Sequence, residues 1–320
     1  MKSVLITDDC HPLLIDGLTQ LGYQCTFLPD ITPEETQRVI GGYEGLIINS
    51  KILVGPALLD AAPRLRFVGR LGSGMEIVDQ PYAARRGVAV LSSPEGNRNA
   101  VAEQALGMLL ALANHSLRAD REVRAQVWRR EANRGFELQG KTLGIIGFGH
   151  TGSQLARKLV GLGMRVLAYD KYKAPGYAAG LSWVEETDEA GIRAQADIIS
   201  LHLPLTKETH HLVNRAFIGQ CRSGVIFINT ARGKCIHTAD LVEALEAGRV
   251  SGACLDVFEN EKPATFSLAE KEGYSRLYAL ENVVLSPHVA GWTHESKRRL
   301  AEVLLAKITA VLTGGQWKEG

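Results

Sequence analysis

The sequence has little of what marks membrane, secreted or polyanion-binding proteins. Its densest apolar run, residues 105–113, is far shorter than the roughly 20 residues that cross a bilayer, and acidic residues at positions 8 and 9 interrupt any signal-peptide core. Thirty-six Lys plus Arg against 35 Asp plus Glu leave a net charge of +1, so no global field attracts nucleic acid or an anionic membrane. We therefore expect a cytoplasmic protein with neither a nucleic-acid nor a membrane partner.

Cysteine is also scarce. The five cysteines form an odd number and contain no C-x-x-C pair, which fits neither a disulfide framework nor a zinc site. We expect reduced thiols packed in the interior and no metal site.

The chain is long enough for two domains. It has 320 residues, 45% of them hydrophobic, which exceeds what one core usually organises. Short β-rich runs alternate with helical patterns, first up to about residue 91 and again from residue 141, so both halves predict doubly wound parallel sheets. Residues 92–99 break the first series. A last helical pattern at residues 295–312 is expected to pack against the first domain. The predicted domains are 1–97 with 290–320, and 98–289.

One helical segment is apolar on most sides. From Val101 the apolar residues follow i, i+4, i+7, i+8 and i+11, and Leu106 and Leu110 extend them to other faces. Such a helix is buried between domains or against another copy of the chain. The segment therefore predicts a homodimer built on the second domain.

A glycine motif predicts a dinucleotide site. Residues 147–152 read G-x-G-x-x-G after an apolar strand predicted at 142–146, open a helix, and precede a strand predicted at 165–169 that leads into Asp170. The glycines permit a tight turn and close approach of backbone N–H groups to a pyrophosphate, and Asp170 would accept the ribose hydroxyls. A carboxylate there repels a 2′-phosphate, so NAD is favoured over NADP, although Lys171 and Lys173 could soften the preference.

Three later segments bring ionisable groups to the carboxyl ends of strands, where ligands of open α/β sheets bind. They are residues 229–233, 255–261 and 286–291. Together with the glycine motif, and with residues 69–74, 96–104 and 200–206, they closely resemble the D-isomer-specific 2-hydroxyacid dehydrogenases over nearly the whole chain. The fold that this resemblance implies is α/β, with a Rossmann NAD-binding domain inserted in a flavodoxin-like substrate domain.

The resemblance also implies roles for individual residues. Arg232 would bind the substrate carboxylate, since a guanidinium fork makes two parallel hydrogen bonds and keeps its charge. His288 would be the acid/base, with Glu261 as its partner, because an imidazole exchanges protons near neutral pH. Ser73, Gly74 and Lys51 are the further candidates for substrate binding. The cofactor-binding candidates are Gly147, Phe148, Gly149, His150, Thr151, Gly152, Asp170, His202, Pro204, Thr230, Ala231, Asp256 and Gly291.

The implied activity is NAD-dependent hydride transfer to or from C2 of a small 2-hydroxy or 2-oxo acid, of the hydroxypyruvate, glyoxylate or 3-phosphoglycerate type. Asn49 stands where phosphate-reading relatives often have Arg, but Lys51 could still hold a phosphate. The chain ends soon after its last helix, which predicts no C-terminal regulatory domain, and Glu261 argues against a formate dehydrogenase, where glutamine stands. A non-catalytic NAD(H)-sensing or corepressor-like protein remains the alternative, since a binding protein could keep the same residues.

Overall fold

Two parallel β-sheets organise the residues that the computed structural model describes, 2–315. Each sheet belongs to its own unit. The second unit is Asn99–Gly291, and the first unit is the chain on either side, up to Arg98 and from Trp292. Across residues 2–315, none of the helices combines the length and apolar character needed to span a bilayer.

Within residues 2–98 and 292–315, the first unit contains five strands, all parallel, and helices from both of its chain segments. Its strands are β1 (Ser3–Ile6), β2 (Gln24–Phe27), β3 (Gly45–Ile48), β4 (Phe67–Arg70) and β5 (Ala89–Ser92), in the order β2-β1-β3-β4-β5. This is the flavodoxin-like order. The helices before residue 98 are α1 (Pro12–Gln20), α2 (Pro33–Val39), α3 (Pro56–Asp60) and α4 (Gln80–Arg85).

The second unit contains seven parallel strands. They are β6 (Thr142–Ile146), β7 (Arg165–Tyr169), β8 (Val184–Glu186), β9 (Ile198–Leu201), β10 (Val225–Asn229), β11 (Val250–Leu255) and β12 (Val283–Leu285), in the order β12-β11-β10-β9-β6-β7-β8. The helices of this half of the chain are α5 (Pro94–Ala113, which begins before the boundary), α6 (Ser116–Arg124), α7 (His150–Leu159), α8 (Glu189–Gln195), α9 (Arg215–Gln220), α10 (Thr238–Glu246) and α11 (Leu268–Ala279). The strand order reverses between β6 and β9, which makes the carboxyl ends of those strands the crevice where Rossmann sheets bind ligands.

The last helix, α12 (His294–Leu312), packs in the first unit. Its buried Ala301, Leu304 and Ile308 join the core formed by β1, β3 and α1. The final helix therefore packs with the first part of the chain, where the sequence predicts it.

Helix α5 differs from the prediction at its start. It begins at Pro94, although residues 92–99 were expected to break the pattern and Val101 to begin the helix. Proline is tolerated in the first helical turn, where its missing N–H leaves no hydrogen bond unmade. Further along, Ala105, Met108 and Leu109 are buried, as the apolar spacing from Val101 predicts.

Candidate active site

The glycine motif forms a tight turn between β6 and α7. Gly147 has φ +91°, and a Cβ there would lie 2.3 Å from the carbonyl oxygen of His202. A Cβ on Gly152 would lie 2.2 Å from the carbonyl oxygen of Gly147. Both positions therefore require glycine. At Gly149, the N-cap of α7, a Cβ would project into open space, so the N-terminus of the helix is accessible to an anion.

Asp170 follows β7 and is fixed beside this turn. Its Oδ2 accepts a hydrogen bond from the Phe148 N–H at 2.9 Å, and its Oδ1 accepts one from the Tyr172 N–H at 3.1 Å. Each carboxylate oxygen keeps a further lone pair, as recognition of two ribose hydroxyls requires. His150 and Thr151 are the first two residues of α7.

The loops after β9 and β10 line the other side of the switch point. His202 Nε2 lies 2.9 Å from Ser200 Oγ, and burial lowers the pKa of His202 to about 4, so this imidazole is neutral at physiological pH. Nearby in sequence, Pro204 accepts a hydrogen bond from Thr209 Oγ1 at 2.6 Å. Among the described residues, the buried hydroxyl of Thr230 has no hydrogen-bond partner.

These features fit a dinucleotide. The open space at Gly149 suits a pyrophosphate, the oriented carboxylate of Asp170 suits a ribose, and the buried hydroxyl of Thr230 is a polar group for which a bound molecule could supply the partner. When bound, a nicotinamide cofactor would supply or take up the hydride.

Arg232 follows β10 in a loop held by its neighbours. Asn229 accepts from the Ala231 N–H at 3.0 Å and donates from Nδ2 to the Arg232 carbonyl at 2.9 Å. Arg232 Nη1 donates to the Ala231 carbonyl at 2.7 Å. A Cβ on Gly233 would lie 1.9 Å from the Phe258 carbonyl oxygen. Sequence reasoning assigned no role to Asn229 or Gly233, although both lie within the 229–233 segment and both fix the Arg232 loop.

His288 and Glu261 form a hydrogen-bonded pair. His288 Nδ1 lies 2.8 Å from Glu261 Oε2, and the two side chains are 51% and 39% exposed. Burial by itself raises the pKa of Glu261, but the hydrogen bond and charge of His288, the Phe258 N–H and the charge of Arg232 outweigh it and hold this pKa below its usual value. Glu261 is therefore a carboxylate at neutral pH, suited to orient an imidazole and stabilise its charged form.

The backbone at His288 is strained and closely held. His288 has φ +57°, in the left-handed region that non-glycine residues seldom adopt. Asp256 fixes this loop: its carbonyl accepts from the His288 N–H at 2.7 Å, and its carboxylate accepts from the N–H groups of Val289 and Ala290 at 2.9 and 2.8 Å. Ser286 Oγ also donates to that carboxylate at 2.5 Å.

Asp256 was predicted to contact the cofactor, and its partners within the chain lie in the 286–290 loop. It is fully buried, and both carboxylate oxygens are engaged by the 286–290 loop. We therefore propose that Asp256 positions His288. Gly291 is the last residue of the second unit.

The remaining candidates lie in the first unit, after the carboxyl ends of two strands. Ser73 and Gly74 are in the loop after β4, where Ser73 Oγ donates to Asn97 Oδ1 at 3.1 Å. Lys51 follows β3, and its ammonium donates to the Pro29 carbonyl. The ends of parallel strands are the usual place for ligand-binding loops in such a sheet.

The chain belongs to the family of D-isomer specific 2-hydroxyacid dehydrogenases. Residues 106–290 match the model of that family's NAD binding domain. A hydroxypyruvate reductase of Thermotoga maritima is 37% identical over 275 residues, which cover 86% of this chain and 87% of that protein. A D-3-phosphoglycerate dehydrogenase of Archaeoglobus fulgidus is 33% identical over 311 residues, 97% of this chain but 57% of that protein. The chain thus spans little more than half the length of this dehydrogenase.

Solved structures agree with the fold and the family. The TT0316 protein of Thermus thermophilus superposes with a TM-score of 0.84, at 31% identity and 98% coverage of both chains. A D-lactate dehydrogenase of Aquifex aeolicus, crystallised with NAD and lactic acid, gives a TM-score of 0.82 at 28% identity, with 98% of this chain and 96% of that chain covered. The α/β fold with two parallel-sheet domains, one of them a Rossmann domain, is confirmed.

Proposed function

We propose that this protein catalyses NAD-dependent hydride transfer between the nicotinamide and C2 of a small 2-hydroxy or 2-oxo acid. The observation that carries the proposal is the 2.8 Å hydrogen bond between His288 and Glu261, in a chain with a dinucleotide-binding turn. A group that donates a proton to a carbonyl oxygen must be correctly oriented and available in its protonated form. The Glu261 carboxylate orients the His288 ring through this hydrogen bond and carries a negative charge beside it.

His288 exchanges the proton. With Nδ1 on Glu261, the other ring nitrogen, Nε2, is the atom that gives a proton to the substrate oxygen during reduction and takes it back during oxidation. Asp256 acts through the backbone of residues 288–290 to hold the ring in place.

Arg232 binds the acid. Its guanidinium can hold the substrate carboxylate bidentately and draw electron density from the neighbouring carbonyl. The Arg232 charge also lowers the pKa of Glu261, so the anionic partner of His288 stays ionised. We assign Ser73, Gly74 and Lys51 to substrate binding by the first unit.

The candidate substrates follow from similarity to known proteins. The relatives include a hydroxypyruvate reductase and a D-3-phosphoglycerate dehydrogenase, so hydroxypyruvate, glyoxylate and 3-phosphoglycerate-type acids are the candidates.

A panel of 2-oxo acids tests the activity directly. We expect NADH oxidation, followed at 340 nm, with at least one of hydroxypyruvate, glyoxylate, pyruvate and 3-phosphohydroxypyruvate, and much slower oxidation of NADPH. If the protein binds NADH but turns over none of these acids in either direction, the catalytic proposal is wrong and the NAD(H)-sensing alternative gains support.

We also propose a homodimer through the second unit. Apolar side chains on and after its early helices remain exposed, namely Leu110, Leu117, Val123 and Trp128, and a second copy would remove them from water. Sedimentation at micromolar concentration should give about twice the mass of the 34.8 kDa chain, and a monomer would contradict the proposal.

A further inference from the structure

A cluster of three polar side chains joins the loops on the two sides of the switch point. Lys171 Nζ lies 2.8 Å from Glu208 Oε2, and the Tyr172 hydroxyl donates to the same oxygen at 2.6 Å. Lys171 and Tyr172 follow Asp170 after β7, whereas Glu208 is in the loop after β9. Because β7 and β9 flank β6 in the sheet, these contacts cross the carboxyl end of β6, where the glycine turn begins.

Both lysines that follow Asp170, Lys171 and Lys173, donate hydrogen bonds to other groups of the chain. The hydrogen bond to Glu208 raises the pKa of Lys171, and the hydrogen bonds from Lys171 and Tyr172 lower the pKa of Glu208. Lys171 and Glu208 are therefore both charged at neutral pH and neutralise each other. Lys173 Nζ donates to the Phe148 carbonyl at 2.6 Å, inside the glycine turn.

This arrangement affects whether the dinucleotide site accepts the 2′-phosphate of NADP. A lysine beside the ribose carboxylate is the group that would attract the 2′-phosphate of NADP. Glu208 pairs with that lysine at 2.8 Å, so the ammonium is already held by a carboxylate, and such a pairing can set the difference in affinity between two ligands.

We propose that Glu208 determines cofactor specificity: by holding the ammonium of Lys171, the residue after Asp170, it disfavours NADP relative to NAD. The inference rests on the proposed dinucleotide site. Lys171 and Glu208 are 55% and 54% exposed, and ion pairs this exposed add little to stability. We therefore expect the pair to matter for the charge and position of the Lys171 ammonium rather than for the stability of the fold.

Glu208→Gln tests this with a matched control. The variant keeps an oxygen acceptor but removes the charge, and dissociation constants for NADH and NADPH are measured by fluorescence titration without substrate. Glu185→Gln is the control, because Glu185 forms a similarly exposed pair with Arg165, a pair that involves the opposite end of β7. We expect Glu208→Gln to bind NADPH about three- to tenfold more tightly, with NADH within about twofold, and the gain to shrink at high salt.

A double variant checks the role of the lysine. If the gain comes from a released Lys171, most of it is lost in Lys171→Gln/Glu208→Gln. The ratio of the dissociation constants for NADPH and NADH is the decisive quantity. If it is unchanged in Glu208→Gln, or changes equally in Glu185→Gln, the inference is overturned while the dehydrogenase proposal stays intact. A wild-type protein that binds neither nucleotide overturns both, and an Asp170→Ala variant that binds NADH as the wild type does locates the ribose elsewhere.

Discussion

Replacement of His288 with alanine is expected to lower kcat/KM for 2-oxo acid reduction by about 10²- to 10⁴-fold, the usual contribution of general acid–base catalysis. The imidazole is hydrogen-bonded to the Glu261 carboxylate through Nδ1, and alanine leaves no proton donor in its place. Binding of NADH should change little, since the glycine turn and Asp170 are elsewhere in the second unit.

Two controls separate chemistry from folding. His288 has a positive φ, where alanine is strained, so His288→Asn is the better-tolerated variant because asparagine adopts this region more readily. It should lose activity to a similar extent. His294→Ala, an exposed histidine at the start of α12, should stay within about twofold of the wild type. A loss smaller than about tenfold in both His288 variants would remove this residue from the proton transfer.

Replacement of Lys307 with methionine is expected to lower the free energy of unfolding of the first unit by about 3–5 kcal/mol. Lys307 Nζ donates to both carboxylate oxygens of Glu95 and to the Ser92 carbonyl, each at 2.8 Å. The two side chains are only 14% and 7% exposed. Methionine keeps most of the volume but removes the ammonium from the Glu95 carboxylate, and removing one member of a buried ion pair is costly.

Chemical denaturation with a matched variant measures this effect. Lys297 lies on the same helix and pairs with Asp9, but these side chains are 44% and 71% exposed. Lys297→Met should therefore cost less than about 1 kcal/mol. Equal costs for the two variants would show that burial of the Lys307 pair does not matter.

Local sequence patterns were sufficient to predict the glycine turn of the Rossmann domain. Strands β6 and β7 begin and end where the sequence predicts, because uninterrupted apolar runs are typical of parallel strands covered on both faces. The three glycines and Asp170 have fixed spacing within one βαβ unit, so the turn and its carboxylate come from neighbouring residues.

Contacts between distant segments could not be predicted in the same way. Asp256 was assigned to the cofactor from the family resemblance, and its carboxylate accepts hydrogen bonds from the Ser286 hydroxyl and from two backbone N–H groups, 30 to 34 positions later. The loop conformation that brings them there depends on the left-handed backbone of His288, for which the residue type gives no signal. The Lys307–Glu95 and Lys171–Glu208 pairs have the same origin, since each joins loops or helices that only the fold brings together.

The pH dependence of reduction tests the central claim, that Glu261 supports His288 as the proton donor. Reduction needs the protonated imidazole, so kcat/KM for reduction should fall as pH rises. Oxidation needs the imidazole to accept a proton, so kcat/KM for oxidation should rise with pH. Since the pKa of Glu261 is held below its usual value, its carboxylate supports the imidazolium throughout the range from about pH 5 upward. Glu261→Gln removes that charge and should move the midpoint of the reduction limb to lower pH.

Glu259→Gln is the control, because Glu259 lies in the same loop but accepts from the Thr238 N–H at 2.6 Å instead of from His288. Its profile should follow the wild type. Superimposable profiles for wild type and Glu261→Gln would contradict the account and leave Glu261 as an ordinary loop charge.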